Sequence, residues 1–177
     1  MKRVRVPRLI ESSDELWRLL TEIKKLDNHT FIACLLGAFV GARFSELGTV
    51  TIKDLRKTEI HLGTQIHLGT GRNVPLINRI QPYIKEFCDN QPDHTKNLLE
   101  RLDGSFLRLL EANQIVNEAA RRLNLKNIAV TSFRKSFGHR LCKLLKSEYQ
   151  ALYVMGFERN RATNLYTMFD LEKGGWK

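Results

Sequence analysis

Two arginines in this sequence stand at the edges of strongly apolar segments. Arg134 lies in VTSFRKSFGHRL, residues 130–141, where Phe133, Phe137, Leu141, Leu144 and Leu145 recur at helical spacing and mark a buried stripe. Phe137 and Leu141 share the face of Arg134, so its guanidinium emerges where core meets cleft. Arg43 follows TFIACLLGAFV, the most apolar run of the chain, after Gly41 and Ala42. A guanidinium stays protonated at any relevant pH and forks onto two oxygens of a phosphate or a carboxylate. Oxyanion recognition is therefore one chemistry open to this pair. The other reading of Arg134 is an aliphatic stem snorkelling over the core.

The overall charge favours the first. The 177 residues carry a formal net charge of +10, and the basic residues are spread from Lys2, Arg3, Arg5 and Arg8 to Arg159 and Arg161. Such a field draws polyanions, and the spread suits a concave surface facing DNA better than a disordered tail. No apolar run is long enough to cross a bilayer, and MKRVRVPRLI is followed by no signal-peptide h-region. A cytoplasmic, DNA-associated protein is expected, with no membrane and no small-molecule substrate. Cys34, Cys88 and Cys142 are widely spaced in apolar settings and read as reduced core cysteines. The histidines show no metal-ligand spacing, so a structural metal is not expected.

The elements that must position the arginines are mostly helical. SSDELWRLL opens an amphipathic helix over residues 12–26, and residues 30–40 are apolar nearly all round, as a central buried helix would be. Residues 49–76 change period: TVTIKDL, TEIHLG and QIHLGTGRNVPL are short and β-branched, and predict a small antiparallel sheet. Helical patterns return over 79–88, 95–101, 104–123, 132–146, 148–155 and 160–168, with NQPDHT as a loop. The expected fold is mainly α with a small antiparallel β-sheet (α+β), a helical bundle of one domain. Residues 1–11 read as a basic arm, 12–168 as the domain and 169–177 as a tail.

Four segments, in order, resemble the catalytic domain of the tyrosine recombinases, or phage-type integrases. GARFSEL looks like the family's first box, an Arg with a Glu three residues on, followed by a strand ending in Asp, here Asp54. NVPL matches the exit of the family's sheet. TSFRKSF looks like the second box, and MGFERNRATNLYT like the closing segment that carries the nucleophilic tyrosine. The resemblance spans residues 12–168.

It implies an enzyme that breaks and rejoins double-stranded DNA in site-specific recombination. Arg43 and Arg134 would clamp the non-bridging oxygens of the scissile phosphate, meeting the charge of the transition state without metal. Tyr166 would attack, release a 5′-hydroxyl and leave a 3′-phosphotyrosyl bond that a second strand can reseal without nucleotide or metal, so the resemblance implies no cofactor. Taken alone, Tyr166 reads as a helix tyrosine with its ring packed and its hydroxyl wet. Arg72, Arg121, Arg122, Lys135, Arg159 and Arg161 are the expected DNA contacts. The resemblance also implies assembly as a tetramer on DNA, with Phe169, Leu171 and Trp176 either docking on a neighbour or folding back onto their own core.

Three groups depart from the family. Its histidine three residues before the second arginine is Thr131, and its His or Trp nine residues before the tyrosine is Phe157. Its hairpin lysine, the general acid toward the leaving 5′-oxygen, has no counterpart, because residues 58–84 contain no lysine. Thr131 can hydrogen-bond a phosphate oxygen but cannot act as a base near neutral pH. Phe157 can pack but donates nothing. By position, His67 and Arg72 are nearest to the missing lysine. Arg72 is a poor proton donor and reads rather as a contact to backbone phosphate. These losses motivate a second reading, a catalytically degenerate recombinase-fold protein that binds DNA as a regulator or remnant. A type IB topoisomerase stands further off, for want of a clamp domain.

Overall fold

A computed structural model of the chain describes residues 6–62, 71–93 and 95–156. Its elements run α1 (Ser13–Leu26), α2 (Asn28–Val40), α3 (Phe44–Leu47), α4 (Ile52–Leu55), β1 (Glu59–Leu62), β2 (Arg72–Pro75), α5 (Gln81–Asp89), α6 (Leu109–Arg122), α7 (Val130–Leu145) and α8 (Glu148–Val154). This is the expected mainly helical fold with one small antiparallel sheet, in which Glu59 pairs with Pro75 and Leu62 with Arg72.

The bundle is organised around α2. Asp27 caps it by accepting from the Thr30 amide at 2.7 Å, and every residue from His29 to Val40 is buried. Helices α1, α5, α6 and α7 all pack against it. A helix this apolar gains its stability from burial on all sides rather than from its own ends. It stops at Gly41, whose φ of +66° is the left-handed conformation that favours glycine. Gly37 lets α7 come close, since a Cβ built there would stand 3.3 Å from Cβ of Phe133. That close approach brings the first turns of α7 beside the end of α2.

Several expectations change. TVTIKDL is not a strand: Thr51 caps α4, its hydroxyl accepting from the Asp54 amide at 3.0 Å, and only an isolated bridge joins Thr51 to Asn97. Asp54 therefore ends no strand; its carboxylate caps α4 in return and pairs with Lys57 at 2.7 Å. Residues 95–101 form turns and bridges instead of a helix, with the Leu98 amide bonded to the Val50 carbonyl at 2.9 Å and Leu107 to Leu99 at 2.8 Å. These extended pairings bury Leu98 and Leu99 in a register that helical periodicity counting cannot distinguish.

Residues 8–10, expected within a basic arm, lie against the body. The Arg8 amide bonds the Asn127 carbonyl at 2.7 Å, the Arg8 guanidinium pairs with Glu15 at 2.7 Å, and Ile10 is buried with its amide on Ser136 Oγ at 2.8 Å. Cys34, Cys88 and Cys142 are buried free thiols, as their settings suggested. No described helix is long and apolar enough to cross a membrane.

Candidate active site

The end of α2 gathers cations from elements far away in sequence. Helix C-termini carry partial negative charge and unpaired carbonyls, and α2 has no basic residue in its own last turn. Arg140, on α7, donates to the Ala38 carbonyl, its guanidinium 5.5 and 5.9 Å from the ring centroids of Phe39 and Phe137. Burial, and then the nearby charge of Arg79, lower its pKa to about 10. Gly41 turns its carbonyl toward two further guanidiniums, those of Arg134 and of Arg72, the latter at 2.7 Å.

Arg134 does not snorkel. It is buried on α7, where Nη1 donates to Gly41 O and Nη2 to Met155 O at 2.9 Å. Arg43 precedes α3, whose third residue is Glu46. At i, i+3 spacing Glu46 accepts from the Arg43 amide at 2.7 Å and from Arg43 Nη1 at 2.8 Å. Arg43 Nη2 reaches the Gly156 carbonyl at 3.2 Å.

Glu46 is the hub of this cluster. Its side chain is only 2% exposed, and Arg43, Arg72 and Arg134 approach its carboxylate to 2.8, 3.0 and 3.9 Å. Charges this deep are tolerated only when paired and hydrogen-bonded, which explains the density of contacts. In the sequence Glu46 is part of the GARFSEL motif, and nothing in that motif alone places it in the site. Its sequence signal is an acid three residues past Arg43, between Ser45 and Leu47.

Arg72 was expected at a DNA phosphate, and the structure instead places it inside the cluster, with a side chain 11% exposed. It donates to both Glu46 oxygens, at 3.0 and 3.2 Å, to Gly41 O, and to Met155 O at 2.7 Å. Arg43, Arg72 and Arg134, from three separate elements, thus converge on one carboxylate and on the carbonyl ends of α2 and α8.

The sequence profile of the phage integrase family matches residues 9–172. The chain belongs to the phage integrase family. No curated protein matches it by sequence. Among solved structures it is similar to the integrase of transposon Tn1549 in complex with circular intermediate DNA, at 16% identity and a TM-score of 0.71 over 97% of this chain and 65% of that one. XerA recombinase is 16% identical with a TM-score of 0.73 over 93% and 62%, and lambda integrase bound to DNA 15% identical with a TM-score of 0.68 over 95% and 62%. At such identities the likeness is one of fold. The chain spans less than two thirds of each of those three structures.

Within the family frame, the remaining expected residues divide. Thr131 is exposed on the first turn of α7, three residues before Arg134. Lys135 is half-buried and donates to the Pro7 carbonyl at 3.2 Å; burial lowers its pKa. Arg121 and Arg122 lie on the outer face of α6, both paired with Glu118 at 2.9 and 3.0 Å, and their hydrogen bonds hold the Glu118 pKa down at about 2. Neither pair joins the cluster at Glu46. Tyr166, Phe157, Arg159, Arg161 and His67 lie outside the described residues.

Proposed function

We propose that this chain is the catalytic part of a tyrosine recombinase, cutting and rejoining double-stranded DNA through Tyr166. One observation carries the reading: Arg43 and Arg134, far apart in sequence, both reach the Glu46 carboxylate, at 2.8 and 3.9 Å. Two guanidiniums held that close can meet the non-bridging oxygens of a single phosphodiester from two sides.

In the proposed step the Tyr166 oxygen attacks phosphorus, the phosphorus–5′-oxygen bond breaks, and the phenolic proton is balanced by one delivered to the leaving 5′-oxygen. The bond formed is a 3′-phosphotyrosyl ester, and reversal with a second strand's 5′-hydroxyl reseals the backbone. Arg43 and Arg134 hold the phosphate and offset charge that develops on it; they are joined in this proposal by Thr131, three residues before Arg134, whose hydroxyl would hydrogen-bond a phosphate oxygen. The net charge of +10 supplies the field that draws the duplex in. Tetramer formation on DNA and contacts from Arg121, Arg122, Arg159 and Arg161 belong to the same proposal.

A second reading, a DNA binder that does not cut, is favoured by Thr131, which puts a group that does not titrate near neutral pH where the family has a histidine. The two readings separate on a nicked suicide duplex. A covalent protein–DNA adduct in the unmodified chain, lost in Tyr166→Phe, supports the enzyme; duplex binding with no adduct supports the binder.

A further inference from the structure

Arg72 enters the cluster from the hairpin, and its fork ties together three parts of the chain. It meets both Glu46 oxygens, the Gly41 carbonyl that ends α2 and the Met155 carbonyl that follows α8. Five donors in one rigid plane can satisfy such a set, whereas an ammonium is a point charge on a flexible stem. The fit is close: a Cβ at Gly156 would stand 2.8 Å from Nη1 of Arg72, and Gly156 has a φ of +72°.

Arg134 donates to the same two carbonyls, Gly41 and Met155. A guanidinium that turns onto a phosphate must release some of the acceptors it holds. Were both arginines to let go, the end of α8 would lose these ties to the end of α2. Arg72 is the better anchored of the two, since it also grips Glu46 through both oxygens while Arg134 stands 3.9 Å from that carboxylate.

We infer that Arg72 is a positioning residue: it keeps the Gly41 and Met155 carbonyls and the Glu46 carboxylate together while Arg43 and Arg134 turn onto the scissile phosphate. It thereby fixes the point from which the chain departs toward Tyr166. The inference rests on the phosphotyrosyl reading above, and it removes Arg72 from the phosphate contacts.

The test compares the unmodified chain with Arg72→Lys, which keeps the charge and loses the fork. Three quantities are read: adduct formation on saturating suicide duplex, the slope of log affinity against log salt, and amide hydrogen exchange at Met155 and Gly156. Adduct formation is expected to slow by about tenfold or more, because small misplacements of reacting groups are costly. The salt slope is expected to stay unchanged, and exchange at Met155 and Gly156 to quicken. A slope reduced by about one, the signature of a lost phosphate contact, would overturn the inference, as would an unchanged adduct rate. If the unmodified chain forms no adduct, the Tyr166 reading fails, and the exchange readout still decides whether Arg72 ties down the end of α8: unchanged exchange overturns that. Should Arg72→Lys not fold, Gly156→Ala presses a methyl group against Arg72 Nη1 and is expected to give the same three results.

Discussion

Arg72 and Arg134 donate to the same two carbonyl oxygens, those of Gly41 and Met155, with Glu46 beside both. Two like charges can share acceptors so closely because a carboxylate and the negative end of α2 lie among them. The clamp is thus built on one buried acid.

Glu46→Gln should therefore destabilise the protein strongly. Removing one partner of a buried ion pair costs about 3–5 kcal/mol, because the cations left behind stay desolvated. Urea unfolding of the variant is expected to show a lower midpoint by that order, with an unchanged slope.

Arg43→Ala and Arg134→Ala should act chiefly on the chemical step. Loss of one preorganised charge donor to a transition state costs about 10²–10³ in rate. The expected outcome is adduct formation reduced by that order in either variant, with duplex affinity reduced far less.

The end of α2 makes a packing prediction. A Cβ on Gly41 would stand 2.5 Å from Cδ1 of Phe137, and the left-handed backbone there adds strain of about 1–2 kcal/mol for any other L-residue. Gly41→Ala should lower stability by more than that strain alone. Adding Phe137→Ala should relieve the clash, so the double variant is expected to lose less than the sum of the two single variants in urea unfolding.

Much of this was legible in the sequence, and the gaps have physical causes. α2 is apolar on every face and so could be placed as the central helix without knowing its neighbours. The stripe on α7 was read only in part. Phe133 is buried as expected, but Leu144 is 78% exposed, while Ser132, Ser136 and His139 are buried. Ser136 Oγ donates to the Ser132 carbonyl at 2.8 Å and accepts from the Ile10 amide, so it is satisfied inside and ties α7 to the segment before α1. Counting apolar residues cannot see a satisfied serine. The sequence names Arg72 as a DNA contact and Glu46 only as part of a motif, and their place in the cluster is hidden for a related reason: each is a charged residue whose burial depends on partners from other elements.

Acid should weaken the fold through His29. It opens α2 against Phe87, ring centroids 5.1 Å apart, and its pKa lies below the ordinary 6.5, chiefly through burial and also through the Arg101 charge, against the opposing pull of Asp27 and the Glu100 backbone. The unfolded chain then binds a proton that the folded chain resists. Stability from this group is full above about pH 6.5 and falls as pH drops from there toward the folded-state pKa, by at most about 1.4 kcal/mol per pH unit. Unfolding midpoints taken between pH 7.5 and about 5 should decline in the unmodified protein and decline less in His29→Gln; equal slopes would remove His29 from the account.

The most direct measurement is a suicide duplex incubated with the unmodified chain and with Tyr166→Phe, followed by denaturing electrophoresis. A covalent protein–DNA adduct, joined through a 3′-phosphate, is expected for the unmodified chain and none for Tyr166→Phe. An adduct that survives Tyr166→Phe, or duplex bound by the unmodified chain with no adduct formed, would contradict it.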